Sequence, residues 1–121
     1  MADAPLSEHT FLILTALASG AQHGYGVIEE VLTISDGQVR LYAGTLYAAL
    51  DRLRQAGLIE VEREEVVQSR LRRYYRLTQS GAQRLADETA RLRRHTDVAR
   101  TRLRKLGVAT IDRLSFGEGI A

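Results

Sequence analysis

The sequence predicts a mainly α-helical protein with one small β-hairpin and a long C-terminal helix. Three observations carry this. Apolar residues recur at three- and four-residue spacing in four separate stretches. The period changes to strict alternation beyond Leu58, on either side of the polar Gln68-Ser69-Arg70. Leu85, Thr89, Leu92, Thr96, Ala99, Leu103 and Leu106 then repeat at spacings of 4, 3, 4, 3, 4 and 3, a heptad seam.

Each element has a local reason. Ser7 is placed to cap a first helix whose apolar residues are Phe11, Leu12, Leu14 and Leu17, with Gly20 as its stop. A second helix is expected from about Gly24 to Thr33, with Tyr25, Ile28, Val31 and Leu32 as its buried stripe. Ser35-Asp36-Gly37 marks a turn, and Val39-Arg40-Leu41 after it is short and β-prone. Thr45 reads as the N-cap of a third helix that runs to about Ala56 and is closed by Gly57. Leu46, Ala49, Leu50 and Leu53 share one face of it, whereas Tyr47, Asp51, Arg52, Arg54 and Gln55 point elsewhere.

Ile59 and Val61 alternate with Glu60 and Glu62, as in a half-buried strand. The run Arg73 to Leu77 puts Tyr75 and Leu77 inward, with Arg72, Tyr74 and Arg76 outward. Together they form a hairpin with a basic tip. Thr78 caps the last helix, from Gln79 to about Leu106. Its seam needs cover, and a second copy of the same helix is the expected partner, through Leu85, Leu92, Ala99, Leu103 and Leu106. The alternative is that the stripe folds back on its own domain, since two Thr weaken the seam. Residues 107–121 lack a clear period and are expected to form a loose tail.

A chain of 121 residues with 45% apolar and 26% charged residues fits one soluble domain with a real core. The absence of cysteine excludes disulfide scaffolds, thiolate zinc sites and Cys nucleophiles. The longest apolar run, Phe11 to Ala18, is too short to span a bilayer, and the N-terminus has no basic signal-peptide region. A cytoplasmic protein without membrane association is expected. His9, His23 and His95 have no metal-site spacing, Gly24-Tyr25-Gly26 lacks the third glycine of a dinucleotide loop, and no serine stands in a nucleophile elbow. Neither an enzyme nor a cofactor is expected. His23 reads as a hydrogen-bonded structural residue at a helix start.

The net charge of +2 hides a lopsided distribution. Residues 1–65 hold four Arg against ten acids, while residues 66–105 hold eleven Arg and Lys105 against three acids. Sixteen of the seventeen basic residues are Arg, whose planar fork suits phosphate and base edges. A basic half-domain is an electrostatic footprint for nucleic acid, although a solvated Arg-rich helix face gives the same count.

The order helix, helix, short strand, helix, strand, strand, helix is that of a winged helix-turn-helix. Residues 7–78 would form the DNA-binding domain and residues 79–106 the C-terminal dimerisation helix. His23-Gly24-Tyr25, Gly44-Thr45-Leu46-Tyr47 followed by Ala49-Leu50 and Arg52-Leu53, then Gly57-Leu58-Ile59, resemble the PadR-like family of bacterial transcriptional regulators. Arg72-Arg73-Tyr74-Tyr75-Arg76-Leu77-Thr78 with Gly81 resembles the end of its wing and the start of its last helix. The resemblance covers about residues 7–93. Members commonly carry Pro where this chain has Ala48, which with Thr45 as N-cap would fall in the first turn, where Pro is optional.

The resemblance implies a homodimeric DNA-binding repressor of the branch with a single C-terminal helix, acting on double-stranded DNA. Some relatives bind flat aromatic drugs between tryptophans at the dimer centre; this chain has no Trp, so that pocket is not supported. A small-molecule effector between the long helices stays compatible with this reading. In the docking it implies, helix three enters the major groove. Thr45 and Tyr47 would bond phosphate or base edges, with Arg52 and Gln55 one turn later. Tyr47 alternatively props helix three against helix two. Asp51 either reads a cytosine amino group or points away from DNA. At the wing, Ser69, Arg70, Arg72 and Arg73 would approach the backbone or minor groove, with Arg73 alternatively covering the core edge. The competing reading from a different class is a winged helix that binds an acidic protein partner and no DNA.

Overall fold

The computed structural model describes residues 4–108. In chain order the elements are α1 (Glu8–Leu17), β1 (Gln22–His23), α2 (Gly24–Ile34), α3 (Ala43–Gln55), β2 (Ile59–Val67), β3 (Arg70–Leu77) and α4 (Gln79–Lys105). The strands form one antiparallel sheet in the order β1-β3-β2. The described residues divide into two compact units between Glu88 and Thr89, within α4.

The core of the first unit gathers Leu12, Ile13, Leu14, Ala16 and Leu17 of α1 with Val27 and Val31 of α2. Leu46, Ala49, Leu50 and Leu53 of α3 and Ile59 and Tyr75 of the sheet complete it, together with Val39 and Leu41. Each buried Val, Leu or Ile side chain stabilises the fold by about 1.5–3 kcal/mol relative to an exposed one. The Ser7 hydroxyl accepts from the Thr10 N–H at 3.1 Å and caps α1, and Thr78 Oγ1 accepts from the Gly81 N–H at 3.0 Å and caps α4. Both caps are those read from the sequence.

Four expectations are corrected. Val39-Arg40-Leu41 is not a strand. It is an extended connector whose Val39 and Leu41 side chains enter the core, with the Val39 N–H donating to Ser35 Oγ at 2.9 Å. The short strand is Gln22–His23, paired with Tyr75 and Tyr74. Helix α3 begins before Thr45: its N-cap is Tyr42, without a side-chain cap bond, so Thr45 lies in the first turn and Ala48 in the second. Burial of Leu41 and Leu46 anchors this segment. Each outweighs the roughly 1 kcal/mol a capping hydroxyl supplies.

The inward stripe of α2 is Gly24, Val27 and Val31 rather than one led by Tyr25. Tyr25 is 64% exposed, because Gly24, not its neighbour, presses against α3. Arg72 and Tyr74, expected to point freely outward, are half-buried. The Arg63 guanidinium lies 3.8 Å above the Tyr74 ring centroid, and the His23 ring meets that ring edge-on at 5.4 Å.

The β2–β3 ladder shifts register once, between Val61 and Arg63, leaving Glu62 as an extra residue. Val67 pairs with Arg70 across a two-residue turn, in which Gln68 and Ser69 have φ of 52° and 64°. Glutamates of β2 pair with the arginines of β3: Arg73 Nε to Glu64 at 2.7 Å and Arg76 Nε to Glu60 at 2.8 Å.

At the start of α4, Gly81 lies so close to the Leu58 carbonyl that a Cβ would overlap it. Leu85 packs partly against the core. The Glu88 carboxylate, 2% exposed, accepts from the Leu6 N–H at 3.2 Å and pairs with Arg84 at 3.6 Å, and Arg84 donates to the Ala4 carbonyl. In the second unit, Asp97 pairs with Arg93 at 3.9 Å and Arg100 at 3.4 Å. Along the seam Leu92 and Leu103 are half-buried, Thr89, Thr96 and Ala99 are exposed, and Leu106, 79% exposed, follows the last helical residue. The expected loose tail lies outside the described residues from 109 onward, as do residues 1–3. Among the described residues no helix is long and apolar enough to cross a membrane.

Candidate nucleic-acid interface

The buried face of α3 (Leu46, Ala49, Leu50, Leu53) fixes which of its side chains can meet a partner. At 100° per residue, Tyr47 and Arg54 lie on one flank, Thr45 and Arg52 on the other, and Asp51 and Gln55 on the side opposite the core. Thr45, Tyr47, Asp51, Arg52, Arg54 and Gln55 are all exposed. The Tyr47 flank faces the hairpin across an open groove of about 990 Å³. His23, Gly24 and Tyr25 close one side of it and Val67, Gln68, Arg70, Leu71, Arg72, Arg73 and Tyr75 another.

Four of the eight residues expected at the interface line this groove: Tyr47, Arg70, Arg72 and Arg73. Thr45, Arg52, Gln55 and Ser69 are exposed but outside its lining. The alternative weighed for Tyr47 is part of the structure, since its hydroxyl sits where a Cβ of Gly24 would be. His23, Gly24, Tyr25, Asp51, Val67, Gln68, Leu71 and Tyr75 are lining residues absent from the expected set. Of these, the sequence offers only Asp51 as a possible base reader; Tyr25 belongs there to the expected buried stripe of α2.

His23 caps α2: its Nδ1 accepts from the Gly26 N–H at 3.2 Å. Burial, and then the Arg72 charge, hold its pKa below the ordinary value; Glu29 and Glu65 oppose this. The hydrogen bond to Glu64, supported by Tyr75, raises the pKa of Arg73. Arg70 and Arg72 have no ion pair among the described residues, so their guanidinium donors remain available to an anion. Among the described residues no cluster of His, Cys, Asp or Glu is placed to hold a metal ion. Hydroxyls, an amide and guanidinium groups around an open cleft can accept a polyanion and read hydrogen-bonding edges.

The PadR-like family of transcriptional regulators matches residues 13–87, more than half of the chain. The chain belongs to this family. PadR-like proteins are regulators and not enzymes. A PadR family transcription regulator from Clostridium difficile R20291 superposes with a TM-score of 0.67 at 24% identity, over 80% of this chain and 99% of that one. A PadR family regulator from Eggerthella lenta gives 0.61 at 26% identity, over 76% of this chain and 80% of that one. Bacillus subtilis PadR, solved in complex with operator DNA, gives 0.58 at 25% identity. That match covers 64% of this chain but 45% of the longer Bacillus protein. No curated protein sequence matches the chain. The PadR winged-helix architecture, with its long C-terminal helix, agrees with the expected fold.

Proposed function

We propose that this PadR-like regulator is a homodimeric, sequence-specific DNA-binding repressor. The observation that carries the reading is the groove in which Tyr47 of α3 faces Arg70, Arg72 and Arg73 of the hairpin. The likeness to a family member solved with operator DNA supports it. In this reading residues 7–78 bind DNA. Helix α3 enters the major groove with Thr45, Tyr47, Arg52 and Gln55, and the wing meets the backbone or minor groove with Ser69, Arg70, Arg72 and Arg73.

Residues 79–106 join two copies through Leu85, Leu92, Ala99, Leu103 and Leu106. Because Leu85 also packs on its own core, the later leucines carry most of that contact. Two recognition helices about one turn of DNA apart require a pseudo-palindromic operator. A small-molecule effector seated between the paired α4 helices would release the complex. The site of action is the cytoplasm.

Fluorescence anisotropy on the DNA upstream of its own gene, across a salt series, tests the proposal. Steeply salt-dependent binding that a random competitor does not displace is the expected result. Absence of binding even at low salt would overturn it and favour an acidic protein partner for the basic residues. Sedimentation of the free protein tests the dimer, and a monomer at tens of micromolar would overturn that part.

A further inference from the structure

Gly44, Ala48, Asp51 and Gln55 fall along the ridge of α3 that lies opposite its buried face, and all four are exposed. A Cβ built at Gly44 would meet nothing within 4 Å, so the packing of this chain does not demand a glycine there. With Ala48 it leaves the first part of the ridge bare, which admits a partner surface close to the backbone. Asp51 and Gln55 are then the hydrogen-bonding side chains on the ridge. Asp51 also lines the groove with Tyr47, one turn before it, and with the three wing arginines. No ion pair or hydrogen bond engages its carboxylate among the described residues.

A carboxylate accepts hydrogen bonds and donates none. Facing phosphates it is repelled, so at a DNA interface its charge opposes binding unless a donor stands in front of it. The major groove offers two such donors, the amino groups of cytosine and adenine. Adenine sets its N7 acceptor beside its amino group, against a carboxylate, whereas cytosine presents a donor alone. From this juxtaposition we infer that Asp51 is a specificity residue that selects a cytosine within each half-site and weakens binding to all other DNA. The inference rests on the DNA reading proposed above.

In vitro selection from randomised duplexes, with the full-length wild type, D51A and D51N, tests it. Anisotropy on the selected duplex, its single-base variants and a random duplex then supplies the affinities. Wild type is expected to prefer cytosine at one half-site position about five- to tenfold. D51A should reduce that preference to less than about twofold, and D51N should move it toward adenine, whose N6 and N7 suit an amide. Both variants should bind the random duplex about threefold more tightly at low salt, with one repulsive charge removed. Thermal melting checks that both remain folded, as an exposed mid-helix position allows. A wild-type motif that D51A reproduces with equal discrimination overturns the assignment of Asp51 and leaves the DNA reading standing. A wild type that selects no motif overturns the DNA reading and this inference with it.

Discussion

The hydroxyl of Tyr47 lies against the Cα of Gly24, in the space a Cβ would occupy. The first residue of α2 therefore sets where the Tyr47 ring of α3 rests. That ring stays 47% exposed and lines the groove, so one side chain both spaces two helices and offers its edge to a partner.

Gly24→Ala should separate those two roles. The colliding atom is the far end of a side chain that can swing away, and Ala favours the helix. Thermal stability should change by less than about 1 kcal/mol, while the displaced Tyr47 lowers DNA affinity. A large loss of stability with affinity unchanged would show that the contact is only structural.

At Gly81 the obstacle is backbone. A Cβ there meets the Leu58 carbonyl, which also accepts from the Thr78 N–H at 3.1 Å and cannot retreat cheaply. Gly81→Ala should cost about 2–3 kcal/mol, read as a lower urea midpoint at an unchanged slope. An unaltered midpoint would mean that the start of α4 slides freely over the loop before β2.

His23 gives the fold a pH dependence of defined sign. Its imidazole accepts a cap hydrogen bond through Nδ1, and burial with the Arg72 charge depresses its pKa below 6.5. On acidification the unfolded chain takes up this proton first. The His23 contribution is therefore complete above about pH 6.5 and is lost progressively as pH falls below it, toward the folded-state pKa. His23→Asn keeps a capping acceptor without titrating. Its stability between about pH 6.5 and 5 should fall less steeply than that of the wild type, measured by denaturation at each pH.

Arginines of the wing should not weigh equally. Arg70 has no ion pair among the described residues, whereas Arg73 is held by Glu64 at 2.7 Å. Arg70→Ala should flatten the plot of log affinity against log salt by about 0.9. Arg73→Ala should change it by less than about half of that, because Arg73 exchanges one anion for another. Equal slopes for the two variants would show that the Glu64 pair opens on DNA.

How far the sequence could be read follows from the range of the interactions involved. Ser7 and Thr78 were legible as caps because each bonds an N–H three residues away. The face of α3 was legible because Leu46, Ala49, Leu50 and Leu53 obey one period. Its start was not: Thr45 has the chemistry of a cap, but burial of Leu41 and Leu46 places the helix earlier. β-propensity favoured Val39 to Leu41 over Gln22-His23, yet a strand exists only where another lies beside it. Tyr74 and Tyr75, more than fifty positions away, supply that neighbour. Tyr47 and the wing arginines could be named from residue type and position. That His23 and Leu71 join them in one groove depends on how α2, α3 and the hairpin approach each other, which no local pattern encodes.

The extra residue in β2 acts as a phase shifter. Were the inner register, Ile59 with Leu77 and Val61 with Tyr75, simply continued, Arg63 would stand opposite Arg73 and two like charges would meet across the strands. Glu62 delays β2 by one step, so Arg63 comes to lie over Tyr74 and Glu64 meets Arg73. Excising Glu62 would leave both sets of pairs as they are, Val61 with Tyr75 followed directly by Arg63 with Tyr74, and would take out only the bulge. A single-codon deletion at Glu62 should therefore leave the Arg73–Glu64 and Arg76–Glu60 pairs in place and alter only the local bend and twist, so that any loss of DNA affinity would be owed to the shape of the wing.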